Sequence, residues 1–298
     1  MIHIPVLLNE VIDASKPHAG MKFLDGTFGA GGHSKKMCEM LSGNIEIVAI
    51  DTDAVSLEKS VELFPSEYKK TLKIFSGNYR NFDVALDKYG IENIDTALLD
   101  LGFSSDQMDE SGRGFTFQKD QPLLMTLKDP LSENDLTAKE IVNTWDAENI
   151  HDIIKYYGEE RYAKKITDAI VTAREIKPIE TTFELSHIIE KAVPSSYRKQ
   201  KINPSTRTFQ ALRITVNDEL GSLQDFLEKI IDRIESRGRV VIISFHSLED
   251  RIVKKKFREW EENDIGKRIT KKPIIASEEE RISNSRSRSA KLRVFEKN

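Results

Sequence analysis

Cysteine is nearly absent. Cys38 stands alone among 298 residues, so no internal disulfide can form. No uninterrupted apolar run is long enough to span a bilayer, so no membrane partner is expected. No repeat period organises the chain, and no charged-then-apolar leader opens it. With a single thiol, that points to a reducing cytoplasm. The glycine-rich stretch lacks the Gly-Lys-Ser/Thr of a Walker loop. No familiar zinc spacing occurs, and "SFHSLED" with His246, Glu249 and Asp250 matches none, so no metal is expected. What remains is 39% hydrophobic residues in a length suited to one large domain or two ordinary ones.

The net charge of −4 argues against a polyanion partner, but its distribution does not. Residues 1–100 carry 10 Lys and Arg against 15 Asp and Glu, while residues 237–298 carry 17 against 10. A C-terminal part at +7 in an acidic chain suggests nucleic acid, with a solvated charged surface as the competing reading.

In the first hundred residues, short apolar runs alternate with helix-like stretches. "MKFLDGTF", "IEIVAID", "LKIF" and "NIDTALLDLGF" read as strands. "SKKMCEML" and "DAVSLEKSVELF" read as helices, the latter with Val55, Leu57, Val61, Leu63 and Phe64 on one broad side. This predicts an α/β fold, a mostly parallel sheet with helices on both faces. Ligands of such sheets bind at the carboxyl ends of the strands. The stretch "DGTFGAGGHS", Asp51, Gly77 with Asn78, and Asp100 all fall at such ends.

"DGTFGAGGHS" puts four glycines into seven positions. Glycine permits positive φ and lets a ligand approach where a Cβ would stand. Asp51 lies 22 positions beyond Gly29, about the spacing at which a carboxylate grips ribose hydroxyls. The ligand expected is therefore an adenosine compound. The plain alternative is a tight turn, with Asp51 capping the next helix. The pattern fits G-x-G-x-x-G poorly. D-x-x-x-G-x-G is instead the pattern of S-adenosylmethionine methyltransferases, where Asp25 would lie near the cationic amino-acid end or hold the loop.

From residue 106 to about 200 the sheet pattern stops and helical spacing takes over. This predicts an inserted helical domain at 106–200, for substrate recognition, within a sheet domain of 1–105 and 201–298. Thr137-x-x-Glu140 and Thr181-x-x-Glu184 read as capping boxes. Trp145, Tyr156, Tyr157 and Tyr162 read as core. A helix with Phe209, Leu212, Val216 and Leu220 on one face returns the chain to the sheet. "RVVIISF" is the fifth strand, ending at Ser244 and His246. "KLRVFE" is the last, preceded by a loop whose Arg286 and Arg288 suit phosphate contacts.

Six blocks, "HIPVLLNEVI", "DGTFGAGGHS", "DLGFSSDQMDESGRGFTF", "NPSTRTFQALRITVNDEL", "ISFHSLEDRIVK" and "SRSAKLRVFEK", resemble the bacterial 16S ribosomal RNA (cytosine-N4) methyltransferase family. They run nearly end to end in family order. The resemblance implies a class I methyltransferase fold that uses S-adenosylmethionine. It also implies methylation of a decoding-centre cytidine of 16S ribosomal RNA in the small ribosomal subunit. It places cofactor contacts on Gly31, Gly32, His33, Asp51, Tyr79, Asp100 and Gln107. It leaves the oligomeric state open, a homodimer included. The chain departs from the family at Asp120–Asp129, where Gln121, Leu124, Thr126 and Leu127 replace the usual residues, an acid and an arginine among them.

Asp100 is the first candidate to accept the proton of the reacting amine. Ser244 and His246 are candidates to hold the cytosine, and Arg286 and Arg288 the RNA backbone. The D/N/S-P-P-aromatic motif usual in amino-methyltransferases is absent. Two other classes compete: a non-catalytic RNA-binding protein with a retained nucleotide fold, and a dinucleotide-dependent oxidoreductase.

Overall fold

The computed structural model of the protein describes residues 5–102 and 111–298. The chain divides into two compact units, Met1–Gly102 with Leu220–Asn298, and Phe103–Glu219.

The first unit is built on seven strands: β1 (Met21–Asp25), β2 (Ile45–Asp51), β3 (Leu72–Ser76), β4 (Ile94–Asp100), β5 (Ile234–Ser244), β6 (Gly266–Arg268) and β7 (Lys291–Lys297). Their order is β3-β2-β1-β4-β5-β7-β6. β1 to β5 run parallel, and β7 runs antiparallel to both β5 and β6. Side chains of a strand alternate between faces, and two separate cores result. Phe23, Ile47, Ala49, Leu98, Val241 and Ile243 enter one. Their immediate neighbours Leu24, Val48, Ile50, Ala97, Leu99, Val240 and Ile242 enter the other. Burial on both faces is why these strands read as continuous apolar runs.

Helix Ala54–Leu63 buries less than its composition predicts. Leu57 is buried, while Val55 and Leu63 are 53% and 76% exposed. Its N-cap is Asp53, whose carboxylate accepts from the Ser56 N–H at 2.9 Å. Asp51 is therefore not the cap.

The second unit is helical: Ala138–Thr144, Ala147–Tyr156, Ala163–Ile176, Thr182–Ala192, Ser195–Arg198 and Ser205–Val216. Thr181 and Glu184 form the complete capping box; Thr137 makes only its own half, accepting from the Glu140 N–H. Trp145, Tyr157 and Tyr162 pack against the core, but Tyr156 is exposed, because its helix buries Ile150, Ile153 and Ile154 on the other side. Helix Ser205–Val216 also belongs here, with Phe209 and Leu212 in this core, so the return to the sheet comes at Leu220 rather than at 201. The expected single helix through Leu220 breaks at Asp218, whose φ of +45° lies in the left-handed region. A new helix, Glu219–Lys229, follows.

Candidate active site

The loop after β1 lies across the ends of its two neighbours. Gly26 N–H donates to the Leu98 carbonyl at the end of β4, and Phe28 N–H to the Ile50 carbonyl at the end of β2. Two kinds of glycine emerge. At Gly32 the protein itself fills the space, since a Cβ would meet Pro5 Cγ at 2.3 Å. At Gly29 the φ of +52° excludes most side chains, and nothing but the Thr27 carbonyl, 3.9 Å away, borders the missing Cβ. Open space beside a forced glycine is what a ligand needs. Gly31, φ +70°, precedes helix Gly32–Met40, which His33 enters in its first turn.

Three carboxylates converge on this loop. Asp25 ends β1, is 2% exposed, and accepts from Ser34 Oγ at 2.6 Å and from the Thr27 N–H at 3.4 Å. It holds the loop, and burial pushes its carboxyl above the usual range. Asp51 ends β2. Its Oδ2 accepts the Gly29 N–H at 2.7 Å and its Oδ1 the Asp53 N–H at 2.9 Å. Desolvation pushes it up to about 6, against the lowering effect of those two N–H groups. A carboxylate has about four acceptor positions, so roughly two remain open on Asp51.

Asp100 ends β4. Its N–H donates to Thr27 Oγ1 at 2.6 Å, and its Oδ2 lies 3.7 Å from His33 Nε2. Its Oδ1 is buried without a hydrogen-bond partner, as are both ring nitrogens of His33. Buried polar groups are rarely left unsatisfied. Unsatisfied acceptors and donors facing one loop mark a place where a ligand completes the bonding.

The other expected residues divide. Tyr79 opens a short 3-10 turn after β3, and a Cβ on Gly26 would meet its Cβ at 3.3 Å, so it stands at the loop. Its ring packs edge-on to Phe226. Gln107 lies outside the described residues. Ser244 is 2% exposed within β5, its hydroxyl on the Lys291 carbonyl. His246 caps helix Ser247–Glu262 in a capping box with Glu249. Both are therefore used structurally. Arg286 is half-buried and Arg288 exposed, on a 3-10 turn before β7. Sequence reasoning missed Thr27 and Ser34, which fasten the loop to Asp100 and Asp25. Their signal was only a hydroxyl within two positions of a glycine, Gly26 for Thr27 and Gly32 for Ser34.

A sheet of this order, with one antiparallel strand, a glycine loop after β1 and an acid closing β2, defines a class I methyltransferase fold. The residues fit S-adenosylmethionine, which carries no phosphate and so requires no lysine at the loop. The chain belongs to the MraW methylase family, whose profile matches residues 1–298. It is a methyltransferase, and its methyl donor is S-adenosylmethionine.

Three relatives are named ribosomal RNA small subunit methyltransferase H. That of Lachnospira eligens is 42% identical over 99% of this chain and 97% of its own. That of Lawsonia intracellularis is 43% identical over 99% of both. That of Nitratidesulfovibrio vulgaris is 40% identical over 99% and 86%. A solved rRNA methylase from Streptococcus thermophilus is 13% identical, with a TM-score of 0.45 over 100% of this chain and 98% of that one. Among the described residues, no helix is long and apolar enough to cross a membrane.

Proposed function

We propose that this protein methylates the exocyclic N4 amine of a decoding-centre cytidine in 16S ribosomal RNA, acting in the cytoplasm on the small ribosomal subunit. The observation that carries the chemistry is the buried, unpartnered Oδ1 of Asp100 beside the glycine loop. The relatives, each named for the small-subunit RNA, support a ribosomal RNA substrate, and the N4 amine of a decoding-centre cytidine is what the resemblance of the six sequence blocks implies.

S-adenosylmethionine supplies a methyl group already activated by a positive sulfur. Asp51, Gly31, Gly32, His33 and Tyr79 would hold it, together with Gln107, which the resemblance adds. The chain's remaining task is the amine, a poor nucleophile whose lone pair is delocalised into the ring. Asp100 Oδ1 accepts one amine N–H, which favours a tetrahedral nitrogen, and takes the proton released as the nitrogen gains its methyl group. His33 Nε2 lies 3.7 Å from the other oxygen of that carboxylate, beyond hydrogen-bond reach. Arg286 and Arg288 meet backbone phosphates.

The test uses small ribosomal subunits lacking the modification and labelled S-adenosylmethionine. Digestion to nucleosides should return the label in N4-methylcytidine. Label on a ring carbon, or none at all, overturns the assignment.

A further inference from the structure

The helical unit Phe103–Glu219 is acidic, with 16 Lys and Arg against 20 Asp and Glu. Its cations are mostly engaged. Lys128 pairs with Asp135, Lys139 with Glu180, Lys164 with Asp168, Lys177 with Glu184 and Arg213 with Glu219. Arg161 and Lys165 lie over the Tyr162 ring. One stretch breaks the pattern. From Lys191 to Arg207 there are five cations and no carboxylate. Arg198, Lys199 and Lys201 are exposed, with no carboxylate, ring or hydrogen-bond partner among the described residues.

Two of these cations, Arg198 and Lys201, border a hollow. A cavity of about 440 Å³ is lined by Glu190, Arg198, Gln200, Lys201, Asn203 and Pro204. That volume suits a small-molecule-sized group. Asn203 Oδ1 is occupied by the Ser205 N–H at 2.8 Å, which leaves its amide NH₂ as a donor. The residue just before Arg198 in the chain is firmly held. Tyr197 is buried, its hydroxyl donates to Glu160 at 2.5 Å, and Arg161 stacks on its ring. A site for an inorganic anion would have no use for Glu190. Two cations for phosphate, two side-chain amides, and a carboxylate able to accept from an exocyclic amine or a ribose hydroxyl together match a nucleotide of single-stranded RNA.

We infer that this hollow holds RNA beyond the reacting cytidine, gripping the phosphate with Arg198 and Lys201 and the nucleoside with Gln200, Asn203 and Glu190. The inference rests on the RNA-methylating reading above and adds to it a second contact, carried by the helical unit. Both cations are exposed, so their removal leaves the fold intact.

The test compares the natural protein with Arg198→Ala/Lys201→Ala on small ribosomal subunits lacking the modification. KM for subunits should rise about tenfold with kcat nearly unchanged. The slope of log affinity against log salt should flatten by about 1.4, at roughly 0.7 per single-strand phosphate contact. Affinity for S-adenosylhomocysteine should stay the same, and the charge-keeping pair Arg198→Lys/Lys201→Arg should restore most of KM. An unchanged KM and salt slope in the alanine variant overturns the hollow while leaving the enzyme's function standing. Failure of the natural protein to methylate subunits at all removes the functional reading, and this inference with it.

Discussion

Two loops carry the chain's densest irregular sequence, and they use their polar groups in opposite ways. In Asp25–Ser34 the backbone is braced by Asp25 and Asp51, yet acceptor capacity on Asp51, the Oδ1 of Asp100 and the ring nitrogens of His33 remain unused. In Asp120–Asp129 the polar groups close on the unit itself. Gln121 Oε1 accepts from the Gly114 N–H at 3.0 Å, and the Gln121 N–H donates to Thr182 Oγ1 at 3.1 Å. Asn217 accepts from the Leu127 N–H at 2.7 Å and donates to the Met125 carbonyl at 2.8 Å. Leu123 and Met125 are sunk in the core. The first loop is shaped for something absent from the chain; the second is a structural clasp. Its departures from the family follow the same logic. Thr126 is 4% exposed and its hydroxyl serves the Lys128 N–H, so a charge at that position would be buried.

The largest effect should come from Asp100→Asn. An amide cannot take the amine proton, so kcat should fall by about 10²–10³, within the range of a lost general base. Affinity for S-adenosylhomocysteine should change far less. A variant that loses affinity instead, with kcat kept at saturation, would make Asp100 a cofactor holder only.

The next effect is pH-dependent. Asp51 titrates at about 6 in the folded chain, above the ordinary carboxylate range. A folded pKa raised above the unfolded one means that its contribution to stability is full below about 4 and is lost as pH rises through 6. Binding runs the other way, because only the ionised form accepts two ribose hydroxyls. S-adenosylhomocysteine affinity should be level above pH 6 and fall below it, approaching tenfold per pH unit. Asp51→Asn should abolish that dependence in a calorimetric pH series.

The smallest effect belongs to the clasp. Gln121→Ala leaves the Gly114 N–H without its acceptor, and should lower stability by about 1 kcal/mol in a denaturant titration. S-adenosylhomocysteine affinity should not move. If it does, the two loops are not functionally separate.

The sheet was legible because β1, β2 and β4 are buried on both faces and end in Asp25, Asp51 and Asp100. The acids at one rim marked the candidate site before any side-chain geometry. β6 was not legible. It has three residues, and its place depends on backbone pairing with β7, where a Cβ on Gly266 would strike the Glu296 carbonyl at 2.1 Å. The domain boundary shifted because Phe209 and Leu212 suit a helical core as well as a sheet, and periodicity does not say which. The capping role of His246 has a visible signal, a polar residue three positions before Glu249 at the start of a helix. The His33–Asp100 approach joins residues 67 positions apart, which no local pattern can reveal.

The account's central claim is that the rim of β1, β2 and β4 is the cofactor site, with Asp51 as its ribose acceptor. Calorimetry of S-adenosylhomocysteine with the natural protein and Asp51→Ala tests it most directly. Loss of two charge-assisted hydrogen bonds, at about 1.5–3 kcal/mol each at most, should weaken binding by at least about tenfold in a variant that retains its fold. Equal affinity in the two folded proteins would contradict the account.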